Sequence, residues 1–141
     1  MLAAMVVLLG GATGVRAQLP AGWQDLDIGS PSLSGSASWV NGAWSVSGGG
    51  ADIGNTSDQF NFAYETSSSS AVILAQVLTV QETDGSAKAG VMFRDNNTAG
   101  AMFALVAVTP DNGVSFEWRN TTGGSCSAAQ LAGIAPPSGW N

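Results

Sequence analysis

The segment Trp39-Val40-Asn41-Gly42-Ala43-Trp44 constrains this chain more than any other part of it. Asn-Gly supplies two consecutive positive φ values, the requirement of a type I′ turn, whose backbone twist matches the twist of the strands it joins. Such a turn fixes register. Val40 then faces Ala43, Trp39 faces Trp44 and Ala37 faces Val46, while Ser38 and Ser45 point to the opposite side. The face carrying both tryptophans is expected to be the core face.

The rest of the chain repeats this grammar. From Ser36 onward, short β-prone runs alternate with clusters of Gly, Asn, Asp and Ser, and no stretch carries a helical period. Residues 59–64 alternate Phe60, Phe62 and Tyr64, and residues 71–80 are nearly continuously apolar, the pattern of a central strand covered on both faces. In residues 87–94, Ala87, Ala89, Val91 and Phe93 alternate with Lys88, Gly90, Met92 and Arg94. Residues 101–109 read as another buried strand, and Pro110-Asp111-Asn112-Gly113 is a turn signal. After it, Val114, Phe116 and Trp118 alternate with Ser115, Glu117 and Arg119. About seven strands result, which predicts an all-β fold, an antiparallel two-sheet sandwich. Residues 120–139 are rich in Thr, Gly, Ser, Ala and Pro, with Leu131 and Ile134 as apolar anchors, and are expected to form a loop or weak edge segment.

Length and charge narrow the function classes. The chain has 141 residues, room for one domain. Residues 2–15 are an apolar run too short to span a bilayer, and Val15-Arg16-Ala17 places small residues at the −3 and −1 positions of a cleavage site, so residues 1–17 are expected to be a signal peptide cut before Gln18. Residues 18–141 would then be a secreted, extracellular β-sandwich domain, which retains only Lys88, Arg94 and Arg119 as side-chain cations. No basic footprint for nucleic acid or an anionic membrane surface exists in that set. Cys126 is the sole cysteine, so an intrachain disulfide is excluded. With no histidine anywhere, a Ser-His-Asp or Cys-His arrangement and a His-containing zinc site are excluded as well.

The segments Gly50-Ala51-Asp52-Ile53, Thr56-Ser57-Asp58-Gln59-Phe60, Ala87-Lys88-Ala89-Gly90-Val91-Met92-Phe93-Arg94-Asp95 and Val108-Thr109-Pro110-Asp111-Asn112-Gly113-Val114 resemble the concanavalin A-like lectin/glucanase sandwiches. The likeness is to the module appended to large secreted bacterial proteins, many of them glycan-active, and it runs from about Leu19 to Trp140. It implies a jelly-roll, sometimes with bound calcium, and a carbohydrate-binding or adhesive role without an established reaction. The sequence departs from that pattern at Gly54 and near Gly85-Ser86, where the family often carries Trp. The family pattern also continues past the position matching Trp140, so the sandwich is expected to be incomplete at its C-terminus, with sheet edges open to self-association.

Several constellations bear on chemistry. The Glu-x-Asp-x-x-Glu arrangement of the related glucanases is absent, and Glu65, Glu82 and Glu117 lie in separate segments, so no catalytic residues are expected. Asp52, Asp58 and Asp95 stand near strand ends and are hard oxygen ligands of the kind calcium takes, although turn formation is the commoner use of such residues. Gln76, Lys88, Arg94, Glu117 and Arg119 would make a polar sheet face suited to hydrogen-bonding a carbohydrate or cell-surface glycan, with ordinary solvent-facing residues as the plainer alternative. Trp39, Trp44 and Trp118 are expected in the core, and Trp23 and Trp140 as exposed rings. Asn55, Asn96 and Asn120 open Asn-x-Ser/Thr acceptor triplets. The leading expectation is a non-catalytic, glycan-binding module. The alternatives are a structural, self-assembling extracellular protein and a fragment of a larger glycan-active enzyme.

Overall fold

A computed structural model of the chain describes residues 2–4 and 18–131. Among these residues there is no helix, and the strands are β1 (Leu2–Ala4), β2 (Gln24–Ile28), β3 (Ser36–Val40), β4 (Ala43–Ser47), β5 (Phe60–Glu65), β6 (Ala89–Arg94), β7 (Phe103–Thr109), β8 (Gly113–Arg119) and β9 (Ser127–Gln130). Seven form one sheet in the order β2-β5-β1-β6-β7-β8-β9, and β3 and β4 form a separate hairpin. Every pairing is antiparallel, so the protein is all-β.

The hairpin keeps the register that its turn dictates. Asn41 and Gly42 have φ of 52° and 82°, and Trp39 pairs with Trp44, Val40 with Ala43 and Ala37 with Val46. Trp44 and Val46 are buried against Ala63 of β5, whereas Trp39 sits at the rim, 37% exposed. Trp23, expected to be exposed, packs instead against Trp44 with ring centroids 4.7 Å apart. Two carboxylates hold the hairpin to the large sheet: Gly35 N–H donates to Asp27 at 3.0 Å and Ala37 N–H to Asp25 at 3.0 Å.

Alternation along β5 explains why its middle is buried on both sides. Phe62 and Tyr64 face a cluster with Ile28, Met92, Phe103, Leu105 and Ala107, capped by Ile53 from the loop before β5, while Ala63 faces the hairpin. Each large apolar side chain withdrawn this way contributes about 1.5–3 kcal/mol, which is what holds this loop-rich chain compact.

The strand β2 was not anticipated, although Leu26 and Ile28 alternating with Asp25 and Asp27 carry its period. The weak edge expected in the tail is β9, exposed throughout, and Leu131 is 41% exposed rather than an anchor. Ile134 and Trp140 lie outside the described residues. The larger correction concerns residues 71–80, expected as a central strand: they join no sheet, and Val72 and Leu74 are 82% and 89% exposed. The position between β5 and β6 is held by β1, which pairs with both neighbours and so occupies the ladder groups a strand from 71–80 would need.

Candidate functional site

The charged side chains of β6 and β8 point inward. Because Arg94 and Arg119 end neighbouring antiparallel ladders through Phe103, their guanidinium groups converge on the same loops below the sheet. Asp58 receives them. Its Oδ2 accepts from Arg94 Nη1 at 2.7 Å and Arg119 Nη1 at 2.8 Å, and its Oδ1 from Arg119 Nη2 at 2.6 Å and Gly54 N–H at 3.0 Å. The three side chains have no solvent exposure.

The remaining donors go to backbone carbonyls. Arg94 Nε donates to Asn96 O at 3.0 Å, and Arg119 donates to Gly124 O at 3.0 Å, Ala101 O at 2.9 Å and Gly54 O at 3.0 Å. The Phe103 ring lies 4.9 Å from the Arg119 guanidinium carbon. Pairing with Asp58 outweighs burial at Arg119 and raises its pKa further above the ordinary arginine value. This network ties the loops before β5, after β6 and after β8 to one another.

A second inward charge lies further up the sheet. Lys88 Nζ donates to Asp52 at 2.8 Å, to Ile53 O at 2.8 Å and to Glu117 at 3.0 Å, and Ser115 Oγ shares a 2.9 Å hydrogen bond with the other Glu117 oxygen. Of the five residues expected to form an open polar face, Lys88, Arg94, Glu117 and Arg119 therefore share a face of the sheet, but it is the covered one and their donors and acceptors are spent within the domain. Gln76 is exposed and lies in the unpaired stretch, off that face.

The three acidic residues considered as calcium ligands are dispersed. Asp52 pairs with Lys88, Asp58 with the two arginines, and Asp95 is exposed and accepts from Asn96 Nδ2 at 3.0 Å. Among the described residues no group of three or more His, Cys, Asp or Glu side chains is placed to hold a metal ion. Asn55 and Asn120 are exposed and Asn96 is half-buried.

What the sheet presents outward is apolar. Val91, Val106 and Phe116 lie in one cross-strand row, and Phe93, Ala104 and Trp118 in the next. Phe93, Val106 and Phe116 are 39%, 39% and 38% exposed, and the Phe116 and Trp118 rings stack with centroids 5.3 Å apart and planes 26° from parallel. Trp118 was expected in the core and is half-buried on this outer face. An open depression lined by Phe93, Asp95, Met102, Ala104 and Asn120 lies at one end of the face, so a carboxylate and an amide border the aromatic surface. The alternation of β8 made this face visible in the sequence. Which side of it would be covered was not.

Fold and site together define an all-β protein of antiparallel sheets with internally paired buried charges and a half-exposed aromatic sheet face. No family model, curated protein or solved structure matches the chain. Among the described residues no helix is long and apolar enough to cross a membrane.

Proposed function

We propose that this protein is a secreted, non-catalytic module that binds carbohydrate or cell-surface glycan through the outer face of β6, β7 and β8. The observation that carries the reading is the stacked Phe116–Trp118 pair beside Phe93 on a surface open to solvent. Sugar rings present flat arrays of C–H bonds whose partial positive charge complements the negative face of an aromatic ring, and the rigid sheet supplies that ring surface without an ordering cost. Asp95 and Asn120 at the bordering depression offer an acceptor carboxylate and an amide to sugar hydroxyls. The resemblance to the concanavalin A-like sandwiches supports the same role, with a jelly-roll arrangement and an extracellular, bacterial setting. The absence of histidine from the sequence and the engagement of Asp58 and Glu117 in internal pairs support a binding rather than a catalytic use of the domain.

The test is a glycan array together with depletion assays on insoluble polysaccharides, run with the unaltered chain and with Trp118→Ala and Phe116→Ala. Saccharide retention by the unaltered chain that either replacement weakens supports the reading. A second reading, self-assembly, is favoured by the same half-exposed Val106 and Phe116 together with the outer edge of β9, which no strand among the described residues pairs. Absence of saccharide binding alongside concentration-dependent growth in light scattering would replace the first reading with the second.

A further inference from the structure

The sheet position between β5 and β6 is held by β1. β1 pairs with Tyr64 and Glu65 of β5 and with Val91, Met92 and Phe93 of β6. Among the described residues, Phe60, Asn61, Phe62 and Ala63 pair with β2, and Ala89 and Gly90 pair with β7.

The chain carries a second segment matched to that position. Both β5 and β6 run antiparallel to β1, so any occupant must run against both. A chain that leaves the end of β5 and returns to the start of β6 supplies that direction, and residues 71–80 lie on this path, joined by residues 66–70 on one side and 81–88 on the other. Residues 66–70 have the length of a hairpin loop and residues 81–88 form a longer turn, and the result is a simple meander through β5, 71–80, β6, β7 and β8. The faces agree as well. The position is bordered on one side by the Phe62, Tyr64 and Met92 cluster and on the other by Ala63 under the Trp44 and Val46 hairpin, so a strand there is covered twice. Residues 71–80 are apolar at all but Gln76 and Thr79, and Val72, Leu74 and Leu78 stand exposed outside the sheet.

We propose that residues 71–80 and Leu2–Ala4 are alternative occupants of one sheet position, and that residues 71–80 insert between β5 and β6 when the N-terminal segment leaves it. The N-terminal strand is a placeholder, and its withdrawal, by cleavage or by displacement, lets residues 71–80 take its place. The exposed apolar run is the reservoir for that closure. A second copy of the chain supplying its own residues 71–80 is the competing arrangement, and the short linkers on both sides of the segment favour closure within one chain.

The test is amide hydrogen exchange on the full chain and on full chains carrying Ala3→Pro, Ile73→Pro or both, with molar mass followed by light scattering. Proline at position 3 removes a ladder donor from β1. The expected result is rapid exchange across residues 71–80 in the unaltered chain and protection rising about 100-fold or more in the Ala3→Pro monomer, as for amides brought into a sheet. Ile73→Pro alone leaves the melting temperature unchanged, whereas the double variant melts well below Ala3→Pro. Residues 71–80 exchanging freely in a folded Ala3→Pro chain would overturn the proposal. So would equal protection in both chains, an Ala3→Pro chain that does not fold, or protection that appears only in a dimer.

Discussion

Arg119 Nη2 lies 2.6 Å from Asp58 Oδ1, and neither side chain has any contact with solvent. Asp58 stands in the loop before β5 and Arg119 at the end of β8, so the pair joins parts of the chain that no backbone ladder connects. Arg94 completes the set on the other Asp58 oxygen. Two guanidinium groups on one carboxylate leave an excess positive charge in the interior, and the ring of backbone carbonyls around the remaining N–H groups accommodates it. The arrangement resists the loss of any one member because the others would be left charged and unpaired.

Asp58→Asn keeps the shape of the side chain and removes the charge between the arginines. Removing one partner of a buried charge set typically costs about 3–5 kcal/mol, and the urea midpoint should fall accordingly. Arg119→Lys should also destabilise, because an ammonium cannot reproduce the two-pronged contact with Asp58.

Lys88 gives the protein an alkaline limit. Burial opposes its charge, but the hydrogen bonds it donates to Asp52 and Glu117, reinforced by their charges, outweigh it and raise the pKa above the ordinary 10.5. A raised folded-state pKa means that the stabilisation is complete below the unfolded value and is lost as pH rises through the folded one. The melting temperature should therefore decline above pH 10.5, and Lys88→Met should be less stable at pH 7 and lack that part of the decline. Burial, followed by the charge of Glu117, raises the Cys126 thiol above 9.0, so a further loss beginning near there belongs to Cys126 and should disappear in Cys126→Ala.

Glycine replacements separate backbone strain from crowding. Gly42 has φ of 82° and nothing near the position of an added Cβ, so Gly42→Ala should cost about 1–2 kcal/mol through the turn alone. At Gly90 a Cβ would run into the Val106 carbonyl and the Ala107 backbone, and no flexible side chain can yield there. Gly90→Ala should cost more than Gly42→Ala in chemical denaturation, because β6 and β7 would have to separate.

If the aromatic face binds sugars, Trp118→Ala should weaken polysaccharide retention by about 2- to 13-fold, the factor that 0.5–1.5 kcal/mol of ring interaction gives. Near-UV circular dichroism of the Trp44 region should be unchanged. Replacing Gln76 should leave retention unaltered, since it lies off the face.

Calcium and chelators should leave the melting temperature where it is. The Asp58 oxygens already accept four N–H groups, and Asp52 is held by Lys88, so neither is free to ligate. A rise in melting temperature on adding calcium would point to acidic groups other than these.

Local chemistry was legible in the sequence. Asn41-Gly42 set a turn with both φ values positive, and with it the pairing of Trp39 with Trp44, because a two-residue loop leaves one register. Alternation placed Ser115, Glu117 and Arg119 on one side of β8 and Val114, Phe116 and Trp118 on the other, since successive strand residues point to opposite faces whatever surrounds them. Which side would be covered depended on Asp58 and Asp52, far away in sequence, reaching the cations and making their burial tolerable. The same holds for residues 71–80. Their composition fits a covered strand, but the place of a strand is decided by which segment meets the open ladder groups of β5 and β6, and here that segment is Leu2–Ala4. Sequence by itself determined the periodicities and turns, which act over a few residues. Tertiary structure alone decided the inside and outside of the sheet and the occupant of its central position, because both depend on partners brought together only when the chain closes.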